Sequence, residues 1–414
     1  MDHPADLKGP ADLKGASVGF TAKYINELGL AVAIVAVICV TLAFNQDYLS
    51  EPGRNARDIL HQMSLLGIFA LGAAIVIISG GIDLSSGSVI VFCGSICSLV
   101  MLVLAPVGED GVRDVANVGL NVVLMAIAAA IFTGFMVGTV HAWLITVVRL
   151  PPFVATLASL VGLRSLAKIL NQAVTAQLGN QQTKVRADDE TFALLSQWWV
   201  ALVVFLVLGA LCWLLMSKTV VGRHIYALGG NEEAARLSGI RTDRLKWLAY
   251  SIGGMTSAIA SILFVAKIGA ANPSTLAVGY ELNAIAAAVV GGCSLQGGVG
   301  FIPGVMLGVL FLRMVIDSVA KVVRAGSDDY EGLIVGFLVV LAVAFNELRR
   351  QTASAGKQFF PGAIGVAMIP ILALLVGTVL YVMKGPLVGG TVGGMTLALL
   401  IVVKVLEETR KSRA

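Results

Sequence analysis

Long apolar runs, interrupted by short polar or glycine-rich breaks, dominate the 414-residue sequence. A helix needs roughly 20 apolar residues to cross a bilayer. Runs approaching that length recur near 26–44, 60–79, 84–105, 119–148, 153–171, 197–216, 246–266, 300–320, 331–346, 362–383 and 386–404. A shorter run at 281–293 predicts a tilted or broken helix. The pattern predicts an all-α fold: a polytopic membrane helix bundle with about ten core spans and two extra spans at the C-terminal end. Three of these helices carry small residues at every fourth position: Gly134, Gly138 and Ala142; Gly253, Ser257 and Ser261; Gly300, Gly304 and Gly308. Each row makes a smooth strip on one helix face, where backbones can approach and van der Waals contact drives association.

Composition agrees with a membrane protein and narrows little beyond that. Hydrophobic residues make up 57% of the chain and charged residues 13%, against about a quarter charged in soluble domains. The net charge of +4, without a long basic run or zinc-type spacing, gives no reason to expect nucleic acid or a metal site. The five cysteines all sit in or beside apolar runs and read as packing residues. Residues 1–23 are polar and contain a duplicated Pro-Ala-Asp-Leu-Lys-Gly. The first apolar run, Leu28 to Phe44, lacks a cleavage pattern and reads as a retained anchor.

Lysine and arginine set the expected orientation. With twelve spans and the amino terminus inside, seventeen of the 29 basic residues fall in cytoplasmic segments and nine in outer ones. Both termini are therefore expected in the cytoplasm. The organisation that follows is a cytoplasmic tail at 1–25, a transmembrane domain at 26–348, and an accessory C-terminal region at 349–414 with two spans.

One substantial polar segment breaks the rhythm, at 217–246, and it carries six basic and three acidic residues. Asn231 can cap a short helix whose first turn holds Glu232 and Glu233, favourable to the helix dipole. Gly239 is a natural stop. Ala234, Ala235, Leu237 and Ile240 would form an apolar face, so a short docking helix is expected rather than a plain charged loop.

Acids near membrane depth cost roughly 2.5–3.5 kcal/mol on insertion scales and are usually paired or functional. Asp83 follows Gly80-Gly81 and precedes a new apolar run, where it can accept the free N–H groups of Ser85 and Ser86 as a cap. Glu281 sits similarly before the short helix. Capping is favoured over cargo contact for both. Arg313 and Asp317 are expected to pair at a spacing of four. Arg164 and Lys168 share that spacing but repel, so one of them should reach for the interface or a nearby acid. His141 reads as a satisfied core histidine, and Trp198, Trp199 and Trp247 as interfacial anchors.

Four stretches carry a resemblance to a known family. They are Gly81-Ile82-Asp83-Leu84-Ser85 with Gly87-Ser88; Pro151-Pro152-Phe153-Val154-Ala155-Thr156-Leu157; Gly222-Arg223 through Gly229-Gly230-Asn231 to Ile240; and Gly279-Tyr280-Glu281-Leu282 through Gly291-Gly292 to Ser294-Leu295 and Gly297-Gly298. Over roughly residues 55–348 the chain resembles the membrane permease subunit of ribose-type (monosaccharide) ABC importers, the binding-protein-dependent inner-membrane systems. The resemblance implies that Gly222, Arg223, Asn231, Glu232, Glu233, Ala234, Ala235, Arg236, Leu237, Ser238 and Gly239 couple to an ATP-hydrolysing partner. It implies that Asp83, Ser85, Ser88, Phe153, Thr156, Glu281, Asn283 and Ser294 line or support the translocation path. The implied partners are ABC ATPase subunits, an external sugar-binding protein, a second permease copy and membrane lipid. The sequence departs from the family at Asn283, Cys293 and Asp317, where Asp, Thr and Asn are common, and it lacks the Ile-x-Leu-Pro that continues the general coupling pattern.

The chain is not expected to be an enzyme or to carry its own cofactor. It has no G-x-x-x-x-G-K-[S/T] phosphate loop; Gly356-Lys357 runs into Gln358, and Leu237-Ser238-Gly239 runs into Ile240. ATP and Mg would bind the partner ATPase. The rival reading is an ion-gradient-driven secondary transporter of a small polar solute, using Asp83 or Glu281. A membrane-embedded enzyme ranks last, because HExxH, G-x-S-x-G and clustered histidines are missing.

Overall fold

A computed structural model describes residues 25–45, 48, 50–108, 113–323 and 386–411, with a few isolated positions between the last two ranges. The expected helices at 331–346 and 362–383, the duplicated amino-terminal hexapeptide and Gly356-Lys357 lie outside the described residues. The chain divides into two units, 1–343 and 344–414.

The first unit is helical almost throughout. Its long helices are α1 (Ile25–Phe44), α2 (Pro52–Ile78), α3 (Ser86–Leu104), α4 (Leu120–Thr146) and α5 (Pro152–Gln177). After β1 (Val185–Arg186) and the single turn α6 (Glu190–Ala193) come α7 (Trp198–Lys218), α8 (Val220–Gly230), α9 (Glu232–Leu237) and α10 (Thr242–Ile268). Then follow β2 (Ala270–Ala271), α11 (Tyr280–Val290) and α12 (Ile302–Val323). In the second unit, α13 spans Pro386–Lys411. Among the described residues, seven helices are long and apolar enough to cross a membrane, and α11 is among three shorter apolar ones. The all-helical membrane bundle agrees with the periodicity. Several boundaries differ: α2 begins at Pro52 rather than near 60, and α5 continues to Gln177 rather than 171. Proline at the first helical position lets α2 start before the apolar run, because its fixed φ suits a helix start and its missing N–H costs nothing there.

Two helices form the core. From Met63 to Ile78, α2 is buried on every side, and α10 is buried along most of its length. A helix that is apolar all round must be enclosed by others, and α2 indeed packs against α7, α10, α11 and α12. By contrast, α4, α5 and α7 bury one strip each and leave residues such as Phe132, Val161 and Leu211 exposed, as expected where lipid replaces protein. The small-residue strips lie at helix contacts. A side chain at Gly138 would run into the Tyr250 carbonyl, and one at Gly134 into the Gly254 carbonyl, so α4 and α10 touch backbone to backbone. Gly308 and Gly291 bring α12 and α11 together in the same way, and Ser261 donates to the Ile90 carbonyl (2.5 Å).

The two-residue strands pair antiparallel, Val185 with Ala271 and Arg186 with Ala270. They close the end of the bundle opposite α8 and α9, since 27 residues of α10 separate β2 from that end by about 40 Å. The expected Arg313–Asp317 pair is not the contact found at Asp317. Its carboxylate takes Lys321 Nζ (3.0 Å) and the Tyr48 hydroxyl (3.3 Å), while Lys321 also reaches Asn55 (3.1 Å). One turn toward the helix end, Lys321 can meet the α1–α2 linker as well as the acid.

Candidate functional site

The stretches that carry the resemblance are far apart in sequence and meet at two interrupted spans. The first interruption separates α2 from α3. Asp83 is buried, and its Oδ1 accepts both the backbone N–H (2.8 Å) and the hydroxyl (2.5 Å) of Ser85. The expected cap is therefore half right. Ser85, not Asp83, occupies the N-cap of α3, so Asp83 closes a turn two residues earlier. The Ile82 carbonyl, left free by the break, lies 3.2 Å from Thr156 Oγ1 and 3.4 Å from the Tyr250 hydroxyl. Ser88 donates to the Leu160 carbonyl (2.5 Å). The first and second stretches are thus bonded to each other through Thr156 and Ser88. His141 is satisfied as expected, with Nε2 2.7 Å from Ser159 Oγ.

If Asp83 only shapes the turn, Asp83→Asn should keep uptake within about threefold, because the amide oxygen still accepts the Ser85 N–H. Asp83→Ala should cost about 1–2 kcal/mol, the usual worth of such a turn acceptor. Uptake rates and unfolding in detergent would check both. A collapse of uptake in the asparagine variant would give the charge itself a role.

The second interruption lies between α10 and α11. At 11 residues, α11 is about 16 Å long and cannot cross a bilayer alone. Residues 272–279 cover the remaining distance as a run of turns with one helix-type bond, from the Leu276 N–H to the Asn272 carbonyl (2.9 Å), and Gly279 turns the chain into α11 with φ +77°. Irregular backbone at this depth survives only when buried in protein or lining a cavity, and here Pro273, Leu276 and Ala277 are buried. Arg164 supplies the missing donors. Its guanidinium reaches the carbonyls of Pro273 (2.8 Å), Leu276 (3.0 Å) and Ala277 (3.2 Å). Arg164 lies about 18 Å along α5, near its middle. Arg164 thus spends its donors on backbone carbonyls, and Lys168 is the exposed member of the pair. An arginine amid an apolar run was the available signal; its backbone partners could not be read from spacing.

Glu281 is on the first turn of α11, not at the cap, which is Gly279. It is buried beneath the first turn of α3: a side chain at Gly87 would strike its Oε2. Asn283 and Ser294 are also buried, and Ser294 Oγ accepts the Gln296 N–H (3.3 Å) in the turn after α11. Phe153 is 50% exposed and stands apart from these contacts on the outer face of α5.

The third stretch docks on the first interruption and on the segment that follows α11. Thr219 caps α8 by accepting the Gly222 N–H (3.0 Å), and Asn231 caps α9 by accepting the Ala234 N–H (3.0 Å). Gly239 ends the unit with φ +83°. In the last turn of α8, Gly229 lies against the Ile78 carbonyl and Gly298 with no room for a Cβ, and Gly297 leaves none beside Gly80 and the Gly229 carbonyl. The Ile78 carbonyl, an orphan at the end of α2, accepts the Gly298 N–H (2.9 Å). Tyr226 donates to the Gly300 carbonyl (2.8 Å), and burial holds its phenol above the usual pKa, so it stays a donor. The result is a junction of three glycine turns joining 229–230, the end of α2 and the segment after α11.

The outward side of this segment differs from the expected apolar face. Ala235 is buried and Ile240 half-buried against the bundle, while Ala234 is exposed and Leu237 is 81% exposed. Around Leu237 the surface is charged. Glu233 pairs with Arg236, Arg223 is exposed, and Lys246 holds Glu232 (2.6 Å), fastening α9 to α10. Trp247, expected as an interfacial anchor, donates to Thr146 Oγ1 at the end of α4 (2.8 Å). Among the described residues, no cluster of three His, Cys, Asp or Glu side chains could hold a metal ion.

Comparison with known proteins agrees with this arrangement. Residues 55–343 match the family described as branched-chain amino acid transport system / permease component. The ribose import permease protein of Escherichia coli is 31% identical over 80% of this chain and 97% of its own length. The L-arabinose ABC transporter permease protein of Azospirillum brasilense is 30% identical over 80% and 91%. The galactose/methyl galactoside import permease protein of Escherichia coli is 29% identical over 79% and 95%. No solved structure matches the chain.

Proposed function

Because the chain belongs to the branched-chain amino acid transport system / permease component family, we propose that it is the multi-pass permease subunit of an ABC importer for a simple sugar. The cargo class is that of its relatives, which carry ribose, L-arabinose and galactose in their names. ATP and Mg bind a separate ATPase subunit, and an external binding protein delivers the sugar. Two copies of the permease enclose the path. The chain contributes about ten core spans and two accessory C-terminal ones, with both termini in the cytoplasm of a cell whose inner membrane it crosses.

The observation that carries this reading is the glycine junction. ATP-driven movement at α9 has no slack through which to dissipate, because 229–230 touch the end of α2 and Gly298, in the segment after α11, backbone to backbone. Packed elements with two discrete arrangements convert such a push into an opening. On the outward side, Leu237 offers an apolar knob and Glu233 with Arg236 a charged rim for the ATPase.

Replacing Glu233 or Arg236 with alanine should leave insertion and stability unchanged, since an exposed ion pair is worth about 0–1 kcal/mol. Sugar uptake should nevertheless fall about tenfold or more while ATP hydrolysis continues. Normal uptake in either variant would remove the docking assignment. Uptake that persists in ATP-depleted cells with an intact ion gradient would instead favour the secondary-transporter reading.

A further inference from the structure

At the end of the bundle opposite α8 and α9, two connections enclose a cleft that none of the contacts above uses. Its volume is about 650 Å³, a size typical of small-molecule sites. One wall is the end of α3 and the chain after it, with Leu102, Val107 and Arg113; the other is the chain from α5 to β1, with Leu178 and Lys184. Both walls are firmly built. Asp189 is buried, and one of its oxygens accepts the N–H groups of Val118 (3.0 Å) and Gly119 (3.3 Å). Its other oxygen accepts those of Thr191 (2.9 Å) and Phe192 (3.1 Å), so a single carboxylate fastens the two connections together. Thr175 accepts the Gln182 N–H (2.8 Å) and Asn171 donates to the Thr183 carbonyl (2.7 Å), which folds 178–184 back on α5.

The described charges in this cleft do not cancel. Arg186 and Asp188 pair with each other. Asp114 spends its carboxylate on the Ala116 N–H (3.1 Å) and the Asn117 amide (2.8 Å). Arg113 donates through Nη1 to the Val103 (2.5 Å) and Ala105 (3.0 Å) carbonyls, which fixes it at the end of α3 and leaves the rest of its guanidinium open. Lys184 is exposed and has no partner among the described residues. An anion answers this set; a cation is repelled by it. The apolar part of the lining narrows the choice. Val107 is 61% and Leu178 41% exposed, both outside the helices, and Val103 and Leu104 are exposed just before. Since α3 and α5 are long enough to span a membrane and both end here, these side chains stand where acyl chains meet headgroups. A free anion gains nothing from them. A lipid does, and exposed apolar surface rimmed by charge marks such contacts.

We propose that this cleft holds the phosphate headgroup of one anionic phospholipid. Lys184 and the open edge of Arg113 face the phosphate, and the acyl chains run along Val103, Leu104 and Val107. The lipid bridges the connection after α3 and the connection after α5, adding a clasp to the one Asp189 makes. The site does not depend on which cargo the chain carries.

The test uses the purified full chain in a neutral detergent. It is titrated with short-chain phosphatidylglycerol, with phosphatidylcholine of the same chain length, or with glycerol phosphate. Affinity is read from the rise of Tm with ligand concentration, and lipid retention from native mass spectrometry. Phosphatidylglycerol should bind at least about tenfold more tightly than phosphatidylcholine, since two basic side chains favour the anionic lipid. Glycerol phosphate, the same headgroup without chains, should bind at least about 100-fold more weakly, which a few buried methylenes account for. Lys184→Gln should weaken phosphatidylglycerol about fivefold and leave phosphatidylcholine unchanged. Lys184 is exposed, so this variant keeps the fold, and an unchanged Tm without lipid checks that. Val107→Ser should weaken phosphatidylglycerol and leave glycerol phosphate unchanged. Equal affinity for the two lipids, or no effect of Lys184→Gln, would mean an ordinary lipid shell and would overturn the proposal. Glycerol phosphate binding as tightly as the lipid would make the cleft a site for a soluble phosphate, and would overturn it as well. Docking of a sugar-binding protein that is lost in Lys184→Gln, with lipid affinity unchanged, would give the cleft to that protein instead.

Discussion

A Gly229→Val chain should insert normally and bind its ATPase, yet import sugar at least about 100-fold more slowly. The position has no space to give. A Cβ there meets the Ile78 carbonyl oxygen and the Gly298 nitrogen, both backbone atoms, so no rotamer change can relieve the overlap. Overpacking typically costs about 1–3 kcal/mol when side chains can shift. Here relief requires that 229–230 withdraw from the end of α2 and from Gly298. Withdrawal opens a gap between the coupling segment and the Ile78–Gly298 contact against which it rests. The ATPase would then turn over without moving the path. Gly229→Ala should show a milder form, about tenfold. The measurement is uptake and ATP hydrolysis in the same proteoliposomes; uptake at the natural rate in the valine variant would mean that the junction transmits nothing.

Arg164→Met should be the most destabilising single change in the bundle interior, costing about 2–5 kcal/mol. Three carbonyls lose their donors at once, in a place where neither water nor helix can replace them. Methionine keeps the side chain's bulk, so the loss measures hydrogen bonding rather than a cavity. Arg164→Lys should recover part of the stability and little of the uptake, because a single ammonium cannot span three carbonyls as the planar fork does. Detergent-solubilised unfolding curves, compared with uptake rates, would show the split. If the methionine variant unfolds with the natural chain, the carbonyls have found other partners and Arg164 positions nothing.

Much of the site was legible in the residue pattern, and the exceptions share a cause. The Asn231 cap, the Gly239 stop and the turn at Asp83 depend on neighbours within four residues, and each was readable for that reason. Placing Asp83 at the cap is two residues out, because Ser85 can take the same role and only the path of the chain chooses between them. The apolar face of α9 was misread because a six-residue helix has too few turns to define a buried side; packing against α10 turns Ala235 inward and leaves Leu237 out. Arg164 was noticed as a charge in a span, but its partners lie more than 100 residues away.

The sequence by itself determined the class of protein, since apolar runs of membrane length allow only helices or closed barrels. It also determined where the spans are interrupted, because glycine pairs and a capping acid leave a local mark. Only the tertiary structure decided that the first interruption, the segment after α11 and the coupling segment meet in one glycine junction, and that Arg164 holds the irregular stretch of the second interruption. Those contacts are made by backbone carbonyls and N–H groups, which every residue carries alike. No side-chain pattern records which carbonyl will face which donor until the helices are packed.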